Sequence, residues 1–164
     1  MCGDKVVSMQ STYYGCHNLT GSPVCGSNVK YMQGTYCGCH NLTGSPVCGP
    51  NVVNMGASIL SFPINTQHLY NGAYAYCYRL TGSPVCGDNV TDMTGAYINC
   101  NHLTGSPVCG PNVVNMNNAY LYCSNLTGLP NIGPNVIHIF HAYLGCSNLS
   151  GIYTIDRFDE WELE

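Results

Sequence analysis

The sequence predicts a solenoid, a right-handed coil of short parallel strands joined by short helical or 3-10 turns, built from rungs that repeat with a period of 23. Three observations carry the prediction: the spacing of the cysteines, unbroken columns of apolar residues, and a near absence of charge. Cys16 to Cys39, Cys77 to Cys100, Cys100 to Cys123 and Cys123 to Cys146 all share that interval, and only Cys39 to Cys77 is longer.

Aligned on these cysteines, a rung reads Leu-Thr-Gly-Ser-Pro-Val-Cys-Gly-x-Asn-Val-x-x-Met-x-x-Ala-Tyr-x-x-Cys-x-x. The Leu column is Leu19, Leu42, Leu80, Leu103, Leu126 and Leu149, and the Val column is Val6, Val29, Val52, Val90, Val113 and Val136. Met9, Met32, Met55, Met93 and Met116 form a third column that closes with Ile139. The fourth is aromatic: Tyr13, Tyr36, Tyr74, Tyr97, Tyr120 and Tyr143. Self-similarity at this period, with Leu and Cys at fixed offsets, is the signature of a leucine-rich-repeat solenoid. A single rung cannot bury its apolar face alone, so neighbours must supply the core.

Within a rung, Leu-Thr-Gly-Ser-Pro-Val is the candidate strand, although Gly and Pro weaken it. Met-x-x-Ala-Tyr-x-x-Cys has helical spacing and is expected to form one turn. Residues 56–70 account for the long interval. They read either as a surface loop or as an irregular, compressed rung in which Leu60 to Ile64 mimics the strand. The compressed rung is preferred because the apolar residues would otherwise lie exposed.

The repeat spans residues 2–155. Cys2-Gly3-Asp4-Lys5-Val6 matches Cys25-Gly26-Ser27-Asn28-Val29, so the chain enters the repeat at its seventh position with no preceding cap. An open end rung exposes its core, so either the sequence is a fragment or a neighbouring chain or second copy is expected to cover that end. Residues 156–164 abandon the repeat for an acidic segment with Phe158, Trp161 and Leu163, expected to be a cap or docking tail.

Ala-Tyr-x-x-Cys followed by Leu, with Val and Met upstream, resembles the BspA-like (bacterial surface antigen) leucine-rich-repeat family over nearly the whole chain. Tyr stands where that family has Phe, and the Val-to-Met step is one residue longer. The resemblance implies adhesion or receptor binding at a cell or virion surface, and no catalysis.

Charged residues are only 7% of the chain, against about 25% in ordinary soluble domains. Lys5, Lys30, Arg79 and Arg157 are scattered rather than clustered, which argues against nucleic acid and anionic membrane as partners. No run reaches the roughly 18 apolar residues of a membrane span, and Met1 to Lys5 lacks the apolar stretch of a signal peptide. The localisation expected is nonetheless extracellular, at a cell surface or on a virion.

The column Cys16, Cys39, Cys77, Cys100, Cys123 and Cys146 reads as structural buried thiols. Strands about 4.8 Å apart lie within the roughly 4.4 to 6.8 Å that a disulfide needs, so distance also permits cross-links. Cys25, Cys48, Cys86 and Cys109 follow the strand and are expected to be the more exposed column, the place for disulfides or oxidation. Cys37-Gly38-Cys39-His40 beside Cys16-His17 has the residue types of a zinc site but not the spacing of one, so no metal and no cofactor are expected. Asn18-Leu19-Thr20, Asn41-Leu42-Thr43, Asn89-Val90-Thr91, Asn125-Leu126-Thr127 and Asn148-Leu149-Ser150 fit the glycosylation sequon but fall in repeat columns, which favours turn chemistry.

Candidate groups recur once per rung and carboxylates are nearly absent from the repeats, so no isolated catalytic constellation is available. The rungs vary at one edge, where Tyr31, Tyr76, Asn117, Asn118, Tyr122, His138 and His141 are the candidate binding residues. Tyr gives rigid amphipathic area there and Asn adaptable hydrogen bonds. The strand hardly varies, which favours a repetitive ligand such as a glycan over a complex protein surface. The expected function is a non-enzymatic module for adhesion or for receptor or glycan binding on a bacterial surface or phage virion. The alternative is a structural protein that stacks into filaments, or decorates a capsid or tail, through its open N-terminal rung. An ice-binding array on Thr20, Thr43, Thr81, Thr104 and Thr127 is a poorer match, with one Thr per rung.

Overall fold

The structure is a computed structural model and describes residues 2–57 and 71–150. Successive repeats lie side by side and parallel. Ser8 pairs with Tyr31, Tyr31 with Asn54, Asn54 with Asp92, Asp92 with Asn115, and Asn115 with His138. Each pairing is one residue long and is closed by bonds such as Lys30 N to Val7 O at 2.8 Å and Met32 N to Asn54 O at 2.9 Å.

All four apolar columns point into one core. Val29, Val52, Val90 and Val113 are fully buried, as are Met32, Met55, Met93 and Met116. The tyrosines stack ring on ring from Tyr13 to Tyr143, with centroids 5.2 to 5.6 Å apart and planes within 9°. Leu42, Leu80, Leu103 and Leu126 close the core beneath them.

The repeat's asparagine, replaced by Lys5 in the first coil, ties coil to coil at the surface. Asn51 Nδ2 donates to Ser27 O at 2.8 Å, Asn89 to Pro50 O at 2.8 Å, Asn112 to Asp88 O at 2.9 Å and Asn135 to Pro111 O at 2.8 Å. One side chain per coil thereby does the work of a backbone pairing that the adjacent Gly and Pro weaken.

Two local expectations differ from the observed structure. The Met-to-Cys segment contains no helical turn among the described residues. It is a chain of tight turns, with Thr35 N on Met32 O at 3.0 Å, Cys39 N on Tyr36 O at 3.0 Å and Leu42 N on Cys39 O at 3.1 Å. The reason is backbone handedness: Gly34 and Gly38 have φ of 62° and 76°, a left-handed conformation that ends a helix. The intervening N–H groups turn outward to the next coil, Tyr36 N to Ala73 O and Gly38 N to Ala75 O, both at 2.8 Å.

The second difference concerns the strand. The parallel pairing recurs coil after coil just before the Met column, at Tyr31, Asn54, Asp92 and Asn115, and reaches Leu-Thr-Gly-Ser-Pro-Val only in the later coils, where Val108 pairs with Asn131 and Gly128 with Leu149. That segment keeps one bond per coil in its first half, such as Thr43 N to Gly21 O and Thr81 N to Gly44 O, both at 2.9 Å, and its second half is bonded in the later coils, by Cys109 N to Asn131 O at 3.0 Å and Asn131 N to Pro107 O at 3.1 Å. Proline has no donor to extend it.

The long interval leaves the register untouched. Ala57 N still reaches the next coil at Thr94 O, 2.7 Å, and Ala73 N donates back to Met55 O at 2.9 Å, the counterpart of Thr35 N to Met32 O. Tyr36 stacks directly on Tyr74, with centroids 5.4 Å apart. The compressed-rung reading of Leu60 to Ile64 lies outside the described residues, as does the acidic segment 156–164.

Candidate functional site

The structure scatters the variable-edge candidates. Tyr31 and His138 sit in the paired column and are exposed. Tyr122 is half exposed, with a φ of 60°, and its ring lies across Gly145 of the next coil. Tyr76, φ 63°, is partly buried against the small cluster of Cys37, Ala75 and Ile98. Asn117 and Asn118 serve the fold: Asn117 Oδ1 accepts Phe140 N at 2.8 Å, and Asn118 is buried in a left-handed turn with its N on Phe140 O at 2.8 Å. His141 is partly buried, its ring against Phe140. Only Tyr31, Tyr122 and His138 of this set are well exposed; they belong to different coils, and Tyr122 lies in a different column from Tyr31 and His138.

A more regular surface lies on Leu-Thr-Gly-Ser-Pro-Val. Its Leu and Pro point inward, and Pro23, Pro46, Pro84 and Pro107 are buried. Thr, Ser and Val, at every second position, point outward. Thr20, Thr81, Thr104 and Thr127 are exposed and Thr43 partly so; Ser22, Ser45 and Ser83 are exposed and Ser106 partly so. Val24, Val85 and Val108 are 45 to 51% exposed. The result is three parallel files, two of hydroxyls and one of methyls, repeated at the coil spacing of about 4.8 Å. No charged residue occurs within these columns.

Glycine holds the files close. Gly44, Gly82, Gly105 and Gly128 have φ of 76° to 80°, and a Cβ on each would run into the serine of the preceding coil. The Thr file is legible in the sequence. The Ser and Val files are not, because their outward direction depends on the prolines between them turning inward. Their signal is alternation, Thr-x-Ser-x-Val, at the period of an extended chain.

The first cysteine column is buried from Cys39 to Cys146, while Cys16 at its start is exposed. Each buried thiol donates to a tyrosine carbonyl one coil back: Cys39 to Tyr13 O, Cys77 to Tyr36 O, Cys100 to Tyr74 O and Cys146 to Tyr120 O at 3.0 Å, and Cys123 to Tyr97 O at 2.9 Å. Burial pushes the Cys39 thiol up to about 11 and Cys146 up to about 12. These groups are poor nucleophiles at neutral pH.

The second column is less exposed than its position predicts. Cys25 and Cys48 are partly buried, and Cys86 and Cys109 are buried. A glycine in the next coil lets the backbone close over each thiol, so Cys86 lies under Gly110 and Cys109 under Gly133. All twelve cysteines are free thiols. Cys37 and Cys39 also face opposite ways, Cys37 toward Ala75 and Ile98 and Cys39 into the main core, so they do not converge on one ion. Among the described residues no group of three or more His, Cys, Asp or Glu could hold a metal.

With this geometry in view, comparison with known families gives one match. Residues 11–32 match the Kazal-type serine protease inhibitor domain. This corrects the BspA-like resemblance, for which there is no family support. That likeness rested on four apolar columns and their spacing, which any coil of this length needs in order to fill its core. No curated protein and no solved structure matches the chain.

The matched segment runs from Ser11 to Met32, almost one period of the repeat. Its Pro23-Val24-Cys25-Gly26 recurs at Pro46, Pro84 and Pro107. It is part of the stack: Tyr36 Oη donates to Val24 O at 2.7 Å and accepts from Val24 N at 3.1 Å. The matched family is one of non-catalytic, typically secreted inhibitors. Among the described residues no helix is long and apolar enough to cross a membrane.

Proposed function

We propose that the stacked coils form a solenoid that acts as a non-enzymatic binding module, holding a neutral, repetitive ligand such as a glycan at an extracellular, cell or virion surface. The observation that carries this reading is the exposed Thr-Ser-Val array. Its side chains recur with the period of the fold, carry no charge, and are not consumed by the core. A chain of identical sugars offers hydroxyls and C–H faces at regular intervals, and many weak contacts at matched intervals add up to useful affinity.

The test is co-sedimentation with a panel of insoluble neutral polysaccharides, backed by a glycan array. Val85→Lys and Thr104→Asp, which place charge on the exposed array, should abolish binding without unfolding the chain. Unchanged binding in both variants would remove the array as the site, and loss in Tyr31→Ala with Tyr122→Ala would move it to the variable edge.

Head-to-tail stacking of copies is the alternative, favoured by the first coil, where Tyr13 and Leu19 are only partly buried and Cys16 is exposed. Serine protease inhibition is a further reading, favoured by the family match at residues 11–32, where Ser22 and Val24 are exposed. A panel of serine proteases assayed with excess chain tests it directly, and full residual activity throughout would remove it.

A further inference from the structure

A file of sulfur runs along one side of the core. Cys2, Cys25, Cys48, Cys86 and Cys109 occupy the same place in successive coils, each thiol lying against a glycine of the next coil: Gly26, Gly49, Gly87, Gly110 and Gly133. A Cβ on Gly26 would stand 2.9 Å from Cys2 Sγ, and one on Gly49 2.9 Å from Cys25 Sγ. The Met column backs this file. Cys2 Sγ is 3.8 Å from Met9 Sδ, and Cys25 Sγ is 3.6 Å from Met32 Sδ. The first two coils thus carry one thiol–thioether pair each, at the same place in the repeat. Cys2, Cys25 and Cys48 are only partly buried, whereas Cys86 and Cys109 further along the file are closed off; the thiol-to-thioether contacts fall at Cys2 and Cys25.

We propose that Cys2 and Cys25, backed by Met9 and Met32, form a binding site for a soft monovalent cation of the Cu(I) or Ag(I) class. Thiolate and thioether are the ligands that select such ions. Metal–thiolate bonds are about 2.3 Å for zinc, so an ion held linearly between two sulfurs spans roughly 4.6 Å. That matches the coil spacing of about 4.8 Å. Binding breaks two S–H bonds, releases two protons to solvent, and forms two metal–sulfur bonds, with no change in oxidation state. Zinc, which takes four ligands in a closed tetrahedron, finds no histidine or carboxylate in this group.

The experiment is titration of the chain with Ag(I) under a phosphine reductant, followed by alkylation and peptide mass mapping. One equivalent should protect Cys2 and Cys25 ahead of the other ten cysteines; protection that begins elsewhere overturns the site. Cu(I) affinity is then measured by competition with a chromogenic chelator. Met9→Leu with Met32→Leu should weaken the first equivalent about tenfold or more, and Cys16→Ser, in the other column, should leave it unchanged. Parent-like affinity in the methionine double variant would overturn the thioether contribution and with it the site.

Discussion

The thiol of Cys77 donates to the carbonyl of Tyr36, 41 residues earlier in the chain, at 3.0 Å. Cys100 makes the same bond to Tyr74 across 26 residues, also at 3.0 Å. Coil contact, not sequence distance, decides the partner. The column that aligns the repeat in sequence also stitches one coil to the next.

The buried thiols make stability depend on alkaline pH. Cys39 and Cys48 are raised from 9.0 to about 11, and Cys86 to about 12, chiefly by burial. A thiol whose folded value is raised stays protonated in the fold after its unfolded counterpart has ionised. Its contribution is complete below pH 9 and is lost as pH rises toward the folded values. Urea midpoints measured from pH 7 to 11 should hold steady to about pH 9 and then fall. A flat profile to pH 11 would show the thiols to be solvated.

Two tyrosines of the same column should respond oppositely to loss of their hydroxyl. Tyr74 Oη donates to Val47 O at 2.6 Å and accepts from Val47 N at 3.2 Å, so Tyr74→Phe should cost about 1 to 2 kcal/mol. The Tyr120 hydroxyl is buried with no hydrogen-bond partner among the described residues. Tyr120→Phe should therefore be neutral or stabilising by about 1 kcal/mol. Chemical denaturation of both variants checks the sign.

Gly44→Ala should destabilise by about 2 kcal/mol or more, since φ of 79° costs an L-residue roughly 1 to 2 kcal/mol and the new methyl meets Ser22. Combining it with Ser22→Gly should recover the steric part but not the backbone part. Full recovery in the double variant would place all of the cost in the collision.

Charge on the exposed array should separate binding from folding. Val85 is 51% exposed, so Val85→Lys is expected to shift stability by less than about 0.5 kcal/mol. Polysaccharide co-sedimentation of the same sample should fail. Melting curves and pelleting assays on one preparation give both readings.

The repeat and its core were legible because each apolar column recurs without a gap from Val6 to Val136 and from Tyr13 to Tyr143. The turns were not. Met32 to Cys39 has the three-and-four spacing of a helix, yet two successive tight turns place Met, Tyr and Cys on the same side just as well. Gly34 and Gly38 are the residues that decide between them. The pairing column was missed for a related reason: it mixes Ser8, Tyr31 and His138 with Asn54, Asp92 and Asn115, and the pairing itself is made by backbone groups. The second cysteine column looked exposed because burial of Cys86 depends on Gly110, which lies a full coil further on. Of the candidate site, the threonines were legible, but the serines and valines beside them became a surface only once the prolines between them turned inward.

Tyr36 and Tyr74, at the two ends of the long interval, stack as closely as Tyr97 and Tyr120, which are one regular period apart. The core columns present each coil's neighbour with nearly the same side chains, so coils come close to interchangeable parts. A gene that gained or lost one whole period would still encode matched surfaces at the new junction. Length is thus the property of this chain that selection can adjust most cheaply, and any array built on the coils would grow or shrink in whole steps with it.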